Sequence, residues 1–141
     1  MALAYYPRPG EIVWCGYDYD VVDPEMRKPR PVVIVSPRLR RRPKLTAVVP
    51  LSYSAPEPLE DYHCYLELTR PLPTPFDAPA CWAKCDMVAT VSLDRLDRFK
   101  ERHPVTGARL YRTGQLSAEQ FLDVQKALLN GLGFSSLTVN L

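Results

Sequence analysis

Pro31-Val32-Val33-Ile34-Val35-Ser36 is the stretch on which the fold turns. Its four successive β-branched side chains favour extended backbone, because two heavy atoms on Cβ fill a pleated surface and crowd a helical turn. Proline at the head of the run suits a strand's first position, where a missing N–H costs little. Shorter apolar runs split by turn residues surround it. Glu11–Tyr17, opened by Pro9-Gly10 and closed near Asp18, comes before; Leu45–Leu51, Tyr62–Leu68, Ala80–Asp86 and a short Val88–Ser92 come after. The loops 54–59 and 70–79 are rich in proline, and the chain has 15 Pro in 141 residues. That is about double the ordinary share. It cuts this part of the chain into short strands and leaves no room for long helices.

Toward the C-terminus the period changes. Ser117-Ala118-Glu119-Gln120 has the Ser-x-x-Gln form of a capping box. Phe121, Leu122, Val124, Gln125, Leu128, Leu129 and Leu132 follow a mostly helical period that Gly131 and Gly133 stop. A second helical turn is expected over Ser92–Leu96, and Lys100–Gly114 reads as a polar surface excursion. No repeat and no second domain is evident, so the expectation is one domain over residues 1–141, with a core at 9–132 and a tail at 133–141. Several short strands closed on one side by a terminal helix predict a mainly β (α+β) fold, a small, curled, partly closed barrel.

Hydrophobic residues at 46% and charged residues at 24% are ordinary for a globular protein, and a net charge of +2 says little about partners. The distribution says more. Arg38, Arg40, Arg41, Arg42 and Lys44 form a basic run that suits a phosphate backbone, or else a solvated loop that keeps the protein soluble. Met1–Gly10 has no apolar segment of signal-peptide length, and no run of about 18 apolar residues occurs, so a cytoplasmic location away from membranes is expected. Cys15, Cys64, Cys81 and Cys85 are scattered, which points to reduced thiols. Cys81 and Cys85 on a strand would share a face about 13 Å apart, too far to ligate one metal. No metal and no cofactor is therefore expected.

Read together, three stretches resemble the PemK/MazF family of toxin ribonucleases. Pro9-Gly10-Glu11-Ile12-Val13-Trp14 is similar to that family's opening strand. Arg30-Pro31-Val32-Val33-Ile34-Val35-Ser36 is similar to its second, with Val48-Val49-Pro50-Leu51-Ser52 at the expected distance. Lys84-Cys85-Asp86-Met87-Val88-Ala89-Thr90-Val91 is similar to a third conserved stretch, and the helix from Ser117 falls where the family ends its chain. The resemblance implies an SH3-like barrel that dimerises and cuts single-stranded RNA without a metal. The attacking group would be the RNA's own 2′-hydroxyl, leaving a 2′,3′-cyclic phosphate. It also implies a cognate antitoxin protein, and operator DNA bound only through the antitoxin complex.

On that resemblance Arg30, Ser52, Lys84 and Asp86 are the candidate catalytic residues. Arg30 offers a permanent, bidentate cation for the phosphorane and is a poor proton donor. Ser52 stands where the family has threonine, keeping the hydroxyl and losing the methyl that fixes its rotamer. Asp86 would accept the 2′-OH proton, its pKa lowered by nearby cations. Lys84 stands where relatives carry arginine, a better acid and a worse clamp. The Arg38, Arg40, Arg41, Arg42 and Lys44 run, Tyr53 and His63 are the RNA-binding candidates, with Tyr17, Tyr19 and Phe76 as further stacking aromatics. His63 and His103 fall on no family motif, which argues against a two-histidine mechanism. Two alternatives stay open: a same-fold gyrase poison, and an inactive member that binds only antitoxin and operator. The amphipathic C-terminal segment, with the family resemblance, leads us to expect a homodimer.

Overall fold

The computed structural model describes residues 2–17, 22–26 and 28–141. Strands β1 (Glu11–Cys15), β2 (Arg30–Ile34) and β3 (Leu45–Ser52) form an antiparallel meander. β4 (His63–Glu67) and β5 (Ala80–Lys84) make a hairpin that joins β3 through β5. β6 (Ala89–Ser92) then pairs with the start of β3, on the edge away from β2. β7 (Leu96–Asp97) and β10 (Gly114–Gln115) both pair with β1, while β8 (Phe99–Arg102) and β9 (Arg109–Arg112) form a separate ribbon. The order β10-β1-β2-β3-β5-β4 is a curled sheet whose ends do not meet, so the mainly β, partly closed architecture expected from the sequence is found.

The strands end within a few residues of the expected positions, and most differ by losing their last residues to turns. Ser92–Leu96 holds a 3₁₀ turn at Leu93–Arg95, capped by the Ser92 hydroxyl accepting from the Asp94 N–H. Pro31 is the second residue of β2, not its first. Pro50 lies inside β3, where a missing donor normally breaks a ladder. Here it falls between Val48, the last partner of β6, and Leu51, the first partner of β5, where the neighbouring chain turns away through Cys85–Met87.

Residues on β1, β2 and β3 alternate between two apolar clusters, one on each face of the sheet. Ile12, Val33, Val49 and Leu51 point to the larger cluster, which also holds Leu66, Ala83 and Phe99 and is covered by helix α1 (Ala118–Gly131) through Val124 and Ala127. Val13, Val32, Ile34 and Val48 point the other way, to a second cluster closed by Val91, Leu93 and Leu96 with Leu3, Tyr6 and Met26 packed against it. The sequence suggested cover by a helix on one side; the curl of β6 and β7 supplies a second core. The capping box forms, with Ser117 Oγ accepting from Gln120 N–H at 3.1 Å and Gln120 Oε1 accepting from Ser117 N–H at 3.1 Å. The expected tail folds onward as a 3₁₀ stretch, Ser135–Asn140.

Glu11 is 5% exposed at the start of β1. Its carboxylate accepts from the Tyr5 hydroxyl, the Arg8 N–H at 3.0 Å and the Thr113 hydroxyl at 2.8 Å, which offsets the cost of burying the charge. Burial, reinforced by this carboxylate, pushes the Tyr5 phenol up to about 12. Gly114 lies so close to β1 that a Cβ would stand 2.8 Å from Leu72 Cδ2 and 3.2 Å from Ile12 Cβ, so a larger residue there would have to displace the Leu72 side chain.

All four cysteines are buried, and none is in a disulfide. Burial raises the thiol of Cys64 to about 11 and that of Cys81 to about 12, from a model-peptide value of 9.0, and raises Cys85 as well. The folded state thus favours the neutral thiols. That contribution to stability is complete below pH 9 and is lost as pH rises through 11 to 12. We expect the native protein at pH 8 to resist an aqueous thiol reagent, and all four thiols to react once urea unfolds it. We also expect stability to fall between pH 9 and pH 12 in urea titrations. Rapid native labelling of Cys81 or Cys85 contradicts this packing.

Candidate functional site

The register gathers chemistry on one face. Antiparallel partners directly opposite one another share a face, and side chains alternate along each strand. Val32 is opposite Pro50, and the two chains run on by two residues to Arg30 and Ser52. Ser52 is opposite Trp82, and Trp82 is opposite Tyr65. Two residues along β5 from Trp82, Lys84 is opposite His63. Arg30, Ser52, Trp82, Lys84, Tyr65 and His63 therefore project to the same side, opposite the core under α1. Where the second apolar cluster ends, this face opens to solvent.

Arg30 is half-buried at the mouth of that face, with Nε donating to the Lys28 carbonyl at 3.2 Å. Partial burial draws its pKa down, and the neighbouring Tyr17 phenol opposes that shift. The guanidinium stays charged at any working pH. Tyr17 is buried, which raises its phenol, and its hydroxyl makes no hydrogen bond of ordinary geometry among the described residues. Ser52 is 7% exposed, and its hydroxyl is engaged by its own loop, accepting from Ser54 N–H at 3.3 Å. Its hydroxyl must turn from that loop to reach a ligand.

Asp86 is exposed on the 3₁₀ turn Cys85–Met87 that follows β5. Buried Cys85 fixes this turn, its N–H donating to the Tyr62 carbonyl at 3.1 Å and its thiol to the Val124 carbonyl at 3.7 Å. The end of α1 presses on it from behind: a Cβ on Gly131 would stand 3.2 Å from Asp86 N and Cα. In front, Asp86 lines a groove of about 440 Å³ with Tyr17, Thr90, Arg95 and Glu25. Tyr17 lines the Asp86 groove and also acts electrostatically on Arg30. His63 Nδ1 accepts the Glu60 N–H at 3.0 Å, so in its neutral form the ring carries its proton on Nε2.

Other expected residues lie elsewhere. Arg38, Arg40, Arg41, Arg42 and Lys44 are exposed on the β2–β3 loop, at the opposite end of both strands from Arg30 and Ser52. The length of β2 thus separates this run from Arg30 by about 13 Å. Lys44 pairs with Asp94 at 3.7 Å. Tyr53 is on the core side, its ring stacked on Phe76 at 6.4 Å and its hydroxyl donating to the Phe76 carbonyl at 3.0 Å. Tyr19 falls outside the described residues. Trp82 and Tyr65, edge to face at 5.3 Å with Tyr65 52% exposed, are aromatics of the open face that the sequence reading passed over. Large rings at the outward positions of alternating strands were the available signal.

Residues 8–132 match the family described as PemK-like, MazF-like toxin of type II toxin-antitoxin system. The chain is 29% identical to YifN, an uncharacterized protein of Escherichia coli (strain K12), over 97% of this chain and 99% of that protein. Its fold is similar to MazF from Deinococcus radiodurans, with a TM-score of 0.58 at 16% identity over 92% of this chain and 98% of that one. It is also similar to the Mycobacterium tuberculosis toxin MazF-mt6, with a TM-score of 0.53 at 18% identity over 89% and 97%. The same Deinococcus toxin in a MazE–MazF structure gives a TM-score of 0.52 at 17% identity over 93% and 99%. A family match over nearly the whole chain, together with this fold, means that the protein belongs to the PemK-like, MazF-like toxins of type II toxin-antitoxin systems.

Proposed function

We propose that this toxin is a metal-independent endoribonuclease that cuts single-stranded RNA through its own 2′-hydroxyl and so arrests translation and growth. One observation carries the reading: strand register sets Arg30, Ser52, Lys84 and His63 on one open face, with Asp86 at its rim. In this mechanism Asp86, or a water it orients, takes the 2′-OH proton while the 2′-oxygen attacks phosphorus. Arg30 and Lys84 stabilise the doubly charged phosphorane. The bond from phosphorus to the 5′-oxygen breaks, and Lys84 or water protonates the departing oxygen. The products are a 2′,3′-cyclic phosphate and a 5′-hydroxyl. Trp82 and Tyr65 offer π-faces to the flanking bases, and the neutral His63 ring has an Nε2–H to donate.

The same reading makes the chain a single toxin domain that works in the cytoplasm as a homodimer. Exposed Leu132, Phe134, Leu137, Val139 and Leu141 at the C-terminus supply apolar surface for a second copy. A cognate antitoxin is proposed as its inhibitor, in line with the MazE–MazF pair of the Deinococcus neighbour, with operator DNA bound only through that complex.

Arg30→Ala should lower the cleavage rate by about 10²–10³-fold, the usual loss for a preorganised charge-stabilising donor, with folding intact. Ser52→Ala should be milder, about tenfold, because the hydroxyl already serves its own loop. Both are read from single-turnover cleavage of a labelled RNA, and a near-normal rate for Arg30→Ala contradicts the assignment. Gly131→Val lies outside the open face, but its branches meet the Asp86 backbone. It should slow cleavage, with circular dichroism reporting whether the helix still forms; a folded variant of unchanged rate separates Asp86 from the chemistry.

A further inference from the structure

The sheet edge beside β1 is made in two pieces. Asp97 is opposite Trp14 and Gly114 is opposite Ile12, so a single residue opposite Val13 would complete the strand. The chain instead leaves the sheet at Arg98 and returns at Thr113, making the β8–β9 ribbon in between. Nothing in the closure of the sheet requires this excursion.

The two faces of the ribbon differ sharply. Phe99, Glu101, Leu110 and Arg112 share one face: Phe99 is buried in the main core, and Glu101 pairs with Arg112 at 3.2 Å. Lys100, Arg102, Arg109 and Tyr111 share the other, and all are exposed. Arg98 joins them, its guanidinium 4.8 Å from the centre of the Tyr111 ring. Strand alternation assigns no acid of the ribbon to this face. Asp97 lines a groove with Arg98 and Lys100, Asp77 another with Lys100 and Arg102, and Glu101 a third with Lys100, Arg102 and Arg109. Acids thus stand at the edges of this face while the cations lie along it; Arg102 also donates to the Gly107 carbonyl at 3.1 Å. Arg102 and Arg109 are direct cross-strand partners, and like charges placed opposite one another cost stability. In a chain of net charge +2, so many cations on one strand face mark a surface shaped for an anion.

We propose that this face binds the phosphate backbone of single-stranded RNA beyond the cut, as a second anchor for substrate. The inference rests on the ribonuclease reading above. Cations spaced along a ribbon fit a repeating anion, and the Arg98–Tyr111 stack offers a platform to a base between phosphates. Leu96, at the root, is opposite Cys15, which is opposite Arg30 on its other edge. Two strand spacings, about 10 Å, thus separate Arg30 from the strand that feeds the ribbon. Only an RNA reaching past the cleavage site can touch both.

The test is the triple variant Lys100→Gln, Arg102→Gln, Arg109→Gln, whose sites are exposed and outside the catalytic set. Binding is measured by fluorescence anisotropy on an RNA of about twenty nucleotides made uncleavable by 2′-deoxy substitution, across a salt series. The proposal predicts at least about tenfold weaker binding and a salt dependence shallower by about two in log–log slope. Cleavage of an RNA only a few nucleotides long should be unchanged. A matched triple variant Arg8→Gln, Arg70→Gln, Lys126→Gln removes equal charge from sites assigned no role in binding and should bind long RNA nearly as the parent does. Equal binding by the ribbon variant and the parent overturns the proposal, as does equal loss in both triple variants. So does intact RNA binding with loss of an acidic antitoxin segment instead. Because binding is read on uncleavable RNA, a parent that binds but cuts no RNA defeats the ribonuclease reading while the ribbon is still judged by the variants.

Discussion

Both edges of β3 are hydrogen-bonded, to β2 on one side and to β6 and then β5 on the other, and this pairing dictates where every charged group of the site can stand. A one-residue slip on either edge would exchange the faces of a whole strand, sending Val48 and Val49 into each other's cluster and turning the polar ends of the strand toward the core. Two apolar clusters, one on each face, penalise such a slip from both directions. Register is therefore a consequence of packing, and the geometry of the site is a consequence of register. The break between β6 and β5, where Pro50 has no N–H to offer, is where the chain turns out to present Asp86.

The open face is built from side chains that packing alone would not select. Arg30 follows Ile34 and Val32 along the same side of β2, where the buried cluster gives way to solvent. Partial burial strengthens the field of a cation that an exposed arginine would lose to water. Ser52 is nearly sealed and Lys84 is half-exposed, so the face grades from dry to wet across three strands. Helix α1 holds the back of the Asp86 turn while the groove lined by Tyr17 opens in front. The family to which the chain belongs supplies the fold; these local features bear on whether and how it acts on RNA.

Much of this was legible in the sequence, for identifiable reasons. β-branched runs bounded by proline and glycine gave the strands, and the Ser117–Gln120 box gave the start of the helix to the residue. Arg30, Ser52, Lys84 and Asp86 were singled out by resemblance; the common side of the first three follows from register, which a single sequence does not contain. The Arg38–Lys44 run drew attention through density of charge, yet a hairpin necessarily sends its loop to the end opposite its open strand ends. Tyr53 looked like a stacking residue until its place in the alternation put it with Phe76 in the core. The excursion at 100–114 was recognised as surface, but its segregated faces depend on the pairing of Arg102 with Arg109, invisible where alternation is so short.

If Arg30, Lys84 and Asp86 act on phosphorus as described, the protein contributes no nucleophile, and the substrate's 2′-oxygen is indispensable. The most direct measurement replaces the one 2′-hydroxyl at the cleavage position with hydrogen in an otherwise unchanged RNA and follows cutting by the purified toxin. The account predicts no cleavage of that strand, and 2′,3′-cyclic phosphate and 5′-hydroxyl ends on the products of the unmodified one. Cleavage of the deoxy-substituted strand at the same bond would mean that water or a side chain attacks phosphorus, and would contradict it.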